Sequence, residues 1–297
     1  MNTLSIKGLH KTYGRITAVN ELSLDIPSGS IFGLLGPNGS GKTTTLGMVL
    51  GVIRPTKGTF EWFGRPPSHH VRKIVGAILE QPNFYPTYSA WRNLQLVCKI
   101  KEVSESRIHE VLELVGLVGR EHDAFKTYSL GMKQRLAIGS ALLADPEVLI
   151  LDEPTNGLDP QGIAEIRDLI REIAQSGKTI ILASHLLDEV QKVCTDFAIL
   201  KSGQLIHTGK VKVSFGEDVI LHVGIEDLSL LVPHLSMFPG YQTHKVLKDV
   251  VELVCDKGTN AAELNKFLCE RRIHVAHLST LTKNLEQQFI EILAQHA

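Results

Sequence analysis

One stretch constrains this chain more than any other, "GPNGSGKTT" at 36–44. From Gly36 to Thr43 it fits GxxxxGK[ST], a loop that works only between a buried strand and the start of a helix. Both flanks comply. "IFGLL" at 31–35 is short and almost wholly apolar, as a strand covered on both faces must be. After the loop, Leu46, Val49, Leu50 and Ile53 recur at helical spacing, with Pro55 and Gly58 as the expected stop.

The chemistry of the loop follows from its residue types. Gly36, Gly39 and Gly41 let successive N–H groups turn inward around a phosphate, and the following helix adds about half a positive charge there. Lys42 reaches β- and γ-phosphate oxygens as a mobile point charge. Thr43 offers a hydroxyl to Mg²⁺. Pro37, Asn38, Ser40 and Thr44 complete the expected nucleotide contacts. A phosphate loop does not name a reaction, but "LILDEP" at 149–154 narrows it. A buried strand ends in Asp152, at the sheet edge where ligands collect, placed to hold Mg²⁺ through water. Glu153 lies one step nearer the γ-phosphate, where a carboxylate can accept a proton from attacking water.

Elsewhere, apolar strands alternate with amphipathic helices. "LSLDI" at 22–26 and residues 3–7 alternate like half-buried strands, while "EVLIL" and "TIILA" read as buried ones. Residues 83–127 are more polar and helical, and a helix is expected from Ser129 to about Ala144. Another starts at Asp159 with Pro160 in its first position and Gly177 past its end. Its expected buried stripe is Ile163, Ile166, Ile170 and Ile173. "FAILKSGQLIHTG" reads as a hairpin. The fold class is α/β, a mostly parallel sheet with helices on both faces. Beyond about residue 211 the pattern becomes βαββαβ, with the last strand at "IHVAHLS" and a closing helix at "TKNLEQQFIEILAQ".

These residues together resemble the nucleotide-binding subunit of ATP-binding-cassette (ABC) transporters, of the bacitracin- and drug-export type with a C-terminal extension. The likeness covers 1–210, where motifs stand in family order. It implies a P-loop (RecA-like) core with an N-terminal antiparallel β part, a helical insert at about 83–140, and a ferredoxin-like accessory domain at 217–297. Tyr13 in "KTYG" matches the aromatic that stacks on adenine. Gln81 in "LEQPNF" matches the sensing glutamine, which also binds Mg²⁺. "YSLGMKQ" stands where the family has LSGGQ. "NGLD" matches the dimer loop, with Asp159 in contact with the nucleotide site, and His185 the γ-phosphate histidine. Two subunits of the family stack head to tail, so that Ser129 and Gly131 of one contact the ATP held by the other. Leu130 and Met132 depart from the LSGGQ pattern, whereas Ser129 and Gly131 keep it.

The resemblance implies Mg²⁺-dependent ATP hydrolysis, with Glu153, His185 and Gln81 catalytic. It also implies a second ATPase subunit, expected to be an identical chain, and a membrane permease on a separate chain. The longest apolar runs are strand-sized, so membrane contact is expected only through that permease, at the cytoplasmic face. A formal charge of −1 leaves no basic excess for nucleic acid. A soluble relative acting on ribosomes or DNA fits poorly, because the chain has one phosphate loop and no sustained heptads. A GTPase would need NKxD where "TNGLD" stands, and a kinase leaves "YSLGMKQ" and His185 without roles. The exporter-type signature and tail favour export. The four cysteines form no CxxC pair, which suits a reducing compartment. The histidine pairs at 69–70 and 274–277 lack companion ligands at useful spacing.

Overall fold

The computed structural model describes residues 1–68, 71, 73–79, 82–211, 219–225, 227–256 and 258–282. It divides into two units, Met1–Val211 and Lys212–Ala297. In the first, alternating residues build a long hairpin, β1 (Asn2–Tyr13) and β2 (Ile16–Pro27). With β4 (Lys57–Trp62) they form an antiparallel sheet ordered β2-β1-β4. Leu4, Ile6, Leu22, Leu24 and Ile26 face inward from it.

The apolar runs form the second sheet. Its order is β5 (Val75–Ile78), β6 (Val148–Asp152), β7 (Thr179–Ser184), β3 (Ile31–Leu35), β8 (Asp196–Lys201) and β9 (Gln204–Lys210). All neighbours are parallel except the β8–β9 hairpin. Every residue of β3, β6 and β7 is buried, which explains why these strands carry no alternation. β6, β7 and β3 are adjacent, so their carboxyl ends meet on one edge.

Helix α1 (Lys42–Val49) shares one core with both sheets. Trp62 of β4 donates its indole N–H to the Val49 carbonyl at 3.1 Å, satisfying an acceptor at the end of that helix. The helix is shorter than its spacing predicts. Gly51 turns at φ +75°, and the N–H groups of Val52 and Ile53 both bond to Gly47 O. Ile53 therefore folds back over Gly47, where a Cβ would stand 2.7 Å from Ile53 Cδ1. The apolar spacing is met by a reversal of the chain, not by another turn of helix.

The insert holds α2 (Ala90–Lys101), α3 (Ile108–Leu114) and α4 (Leu130–Leu142), the last ending close to where the sequence predicts. Next come α5 (Pro160–Gln175) and α6 (Leu187–Val193). In α5, Leu169 joins Ile166, Ile170 and Ile173 in the buried stripe, while Ile163 is only half-buried near the capped end.

The second unit is β10 (Val219–Gly224), α7 (Leu228–Leu235), β11 (Tyr241–Val246), β12 (Val251–Cys255), α8 (Ala261–Cys269) and β13 (His277–Thr282). Its antiparallel sheet runs β11-β12-β10-β13, the ferredoxin-like order, around Leu221, Leu231, Leu253 and Leu264. The last strand begins later than "IHVAHLS" predicts. Arg272 turns at φ +60° and the Ile273 N–H closes onto Leu268 O, so pairing starts at His277 opposite Gly224. The expected closing helix lies, beyond Thr282, outside the described residues, as do His69 and His70.

Candidate active site

The phosphate loop leaves β3 at Leu35 and enters α1 at Lys42. Side chains are excluded at its turns. A Cβ on Gly36 would run into the Leu200 carbonyl and sit 2.5 Å from Ser40 Oγ. Gly41, at φ +100°, starts α1 without a side-chain cap, which leaves that helix start facing the loop. Lys42 is buried and donates from Nζ to Gly36 O at 2.7 Å and Pro37 O at 3.3 Å. Ser40 is buried too, and its hydroxyl has no hydrogen-bond partner among the described residues. A buried ammonium, a lone buried hydroxyl and a helix start in one cradle fit a polyphosphate.

The acidic side comes from the neighbouring strand ends. Thr43 Oγ1 donates to Asp152 Oδ2 at 2.7 Å, so the two oxygens expected to hold Mg²⁺ are brought together. A hydroxyl beside a carboxylate is the hard oxygen donor set that this ion prefers, and the residues fit it. Glu153 follows at φ +49°, a left-handed conformation unusual for a residue with a side chain, pinned by its N–H on Ala183 O at 3.0 Å. Its carboxylate lies between two cationic or proton-bearing groups. Oε1 is 3.3 Å from Lys42 Nζ, and Oε2 is 2.7 Å from His185 Nδ1. A carboxylate accepts, so Nδ1 carries the proton and Nε2 is left for another partner.

Other expected site residues stand apart from this group. Ser129 caps α4, accepting from the Met132 N–H at 3.3 Å. With Gly131, Arg135, Gly157, Asp159 and Gln161 it lines a separate open cavity of about 490 Å³ containing no phosphate-loop residue. Asp159 Oδ1 accepts from the Gly162 N–H at 2.9 Å, a helix cap. Leu130 lies over Gly157, its Cδ2 3.3 Å from where a Cβ would be. Tyr13 ends β1 with its ring about half exposed and Lys11 Nζ 4.8 Å from the ring centre. Gln81 lies outside the described residues.

Three polar residues beside the site escape sequence reasoning. Glu189 is 3% exposed, and its carboxylate accepts hydrogen bonds from Thr155 Oγ1 and, at 2.6 Å, Ser184 Oγ. The available signal was a glutamate among the inward positions of α6, between Leu187, Val190 and Val193.

Comparison with known proteins converges with this geometry. The family model described as ABC transporter matches residues 19–156. The ABC transporter ATP-binding protein YdbJ of Bacillus subtilis (strain 168) is 38% identical over 299 residues, 99% of this chain and 96% of YdbJ. The bacitracin transport ATP-binding protein BcrA of Enterococcus faecalis is 33% identical over 296 residues, 98% of this chain and 96% of BcrA. Among solved structures, the dimeric post-hydrolysis state of the ATP-binding cassette MJ0796, bound to ADP and Pi, superposes with a TM-score of 0.64 at 25% identity. That match covers 70% of this chain and 98% of MJ0796.

Proposed function

Because this chain belongs to the ABC transporter family as an ATP-binding, ATP-hydrolysing subunit, we propose that it powers a separately encoded membrane permease, in the direction of export. Each working unit is a head-to-tail dimer of two such chains with two composite ATP sites. What carries this reading is the meeting of Lys42, Thr43, Asp152, Glu153 and His185 at the carboxyl edge of one sheet.

In this mechanism Tyr13 stacks on the adenine, and Gly36–Thr44 with Lys42 hold the phosphates. Thr43, Asp152 and Gln81 would hold Mg²⁺, whose charge would offset that of the phosphate oxygens. Glu153 takes the proton of the attacking water. His185 is oriented by its Nδ1–H on Glu153, and its imidazolium form donates Nε2–H to the γ-phosphate. Ser129, Gly131 and Asp159 of the second subunit close the site from the other side. Hydrolysis removes the shared phosphate contacts and loosens the pair.

BcrA, by its name an ATP-binding protein of bacitracin transport, supports a permease partner, and the exporter-type signature supports the export direction. No helix among the described residues is long and apolar enough to cross a membrane. We assign residues 1–210 to the ATPase domain and 217–297 to an accessory domain. The insert at 83–140 is the part that meets the permease, from the cytoplasmic face. Its aromatics divide accordingly. Phe84 packs edge-on to Phe125 at 5.1 Å, whereas Tyr85 and Tyr88 are exposed and available to a partner.

Calorimetry on Lys42→Ala tests the site directly. ATP binding should disappear, and chelating Mg²⁺ should stop hydrolysis by the wild-type chain. Undiminished ATP affinity in Lys42→Ala would overturn the assignment.

A further inference from the structure

Glu189 carries a feature that the proposed reaction does not use, a carboxylate sealed in the protein beside the catalytic edge. It sits in the first turn of α6, where an acidic side chain commonly faces solvent and favours the helix dipole. Here it is buried instead, and among the described residues it makes no ion pair. Burying a carboxylate without a cation is expensive, and an apolar residue of similar size would pack there at lower cost. Its partners show what the position gains. Thr155 lies two residues after Glu153, and Ser184 directly precedes His185. Each donates its hydroxyl to a different oxygen of Glu189. Ser184 Oγ also accepts from the Leu186 N–H at 3.0 Å, which fixes its rotamer.

The connections close a ring. The chain runs from Glu153 through Pro154 to Thr155, crosses to Glu189, then to Ser184 and His185, and returns by the 2.7 Å contact of His185 Nδ1 with Glu153 Oε2. Glu153 stands in a left-handed backbone conformation that its surroundings must enforce. We infer that Glu189 is a positioning residue for ATP hydrolysis, a buried clamp that holds the Glu153 and His185 segments at the separation their contact requires. The inference rests on the proposed roles of Glu153 and His185. Glu189 acts through Thr155 and Ser184, whose hydroxyls donate to it.

The test is steady-state hydrolysis and equilibrium ATP binding by the purified full-length chain. Misplacement of a catalytic group by an ångström costs up to about 100-fold in rate, so Glu189→Ala should lower kcat about 10- to 100-fold. KM and ATP affinity should stay within about threefold, because no phosphate-loop contact changes. Glu189→Gln, which keeps the shape and one acceptor, should recover part of the loss. In a Glu153→Gln background, Glu189→Ala should cost no more than about twofold further, because the clamp acts on the spacing between His185 and a base that this variant no longer has. Should Glu189→Ala fail to fold, Thr155→Val removes one strut without changing shape and is read in the same way.

Unchanged kcat in these variants sinks the inference while leaving the proposed function intact. So does a loss of ATP affinity parallel to kcat, or a full additional loss in the Glu153→Gln background, either of which would mark a general structural role. A wild-type chain that hydrolyses no ATP sinks both.

Discussion

Glu153 shows how much of this site is decided one residue at a time. Its φ of +49° costs a residue with a side chain about 1–3 kcal/mol, which the Ala183 anchor and the flanking contacts must offset. The carboxylate is thereby set against His185 and not left to choose a rotamer in solvent. Replacing it with Gln keeps the shape and removes the base, so turnover should fall by about two to four orders of magnitude while ATP still binds. Near-normal turnover of purified Glu153→Gln would take the base role away. The cysteines give a second residue-scale expectation. Burial raises the thiol pKa of Cys98 and Cys194, with Cys255 pushed up to about 11, whereas Cys269 is exposed. A raised thiol pKa keeps the group protonated until the pH climbs past it, and the thiolate is what reacts. In the native chain at pH 8, a thiol reagent should therefore modify Cys269 promptly and the others only after unfolding. Prompt modification of two or more thiols would contradict that burial.

Among the elements, helix starts show where the sequence is legible and where it is not. Asp159–Pro160 and Ser129 announce α5 and α4 because capping is local, a side-chain oxygen meeting an N–H three residues on. The phosphate loop is legible for the same reason, its glycines and lysine acting within nine residues. The end of α1 is not, since the Ile53 reversal depends on packing over Gly47. Nor is Glu189 legible, because the hydroxyls that hold it arrive from β7 and from the segment after β6. Local reading makes Asp159 a cap, the family resemblance adds a contact to the nucleotide site, and substitutions can separate the two roles. Asp159→Ala should cost about 0.5–2 kcal/mol, seen as a lower urea midpoint, whereas Asp159→Asn, an equally good cap, should cost almost nothing. A midpoint unchanged in Asp159→Ala would show that the 2.9 Å cap contributes nothing. If Asp159→Asn lowers hydrolysis at full stability, the carboxylate serves the composite site.

At the scale of the whole molecule, the decisive fact is that the chain keeps its phosphate loop and its "YSLGMKQ" helix in different places. The cavity before Ser129 and Gly131 contains neither Lys42 nor Asp152 nor Glu153, which fits its proposed role as half of a phosphate site for a triphosphate held by a second subunit. A head-to-tail pair meets that need twice over with a single sequence. The arrangement makes a prediction that a self-contained enzyme cannot share. Ser129→Arg places a bulky cation where the neighbour's γ-phosphate should lie, and Lys42→Ala removes the phosphate anchor. A dimer of either variant alone therefore has both sites spoiled. In a mixed dimer both lesions fall in one site, and the other combines an intact Lys42 with an intact Ser129. Two inactive preparations should thus regain activity on mixing, up to about a quarter of wild type if subunits exchange at random and the sites work independently. Specific activity of the wild type should also fall on dilution, as dimers separate. Mixtures as inactive as their components, together with turnover indifferent to dilution, would mean that each chain completes its own site.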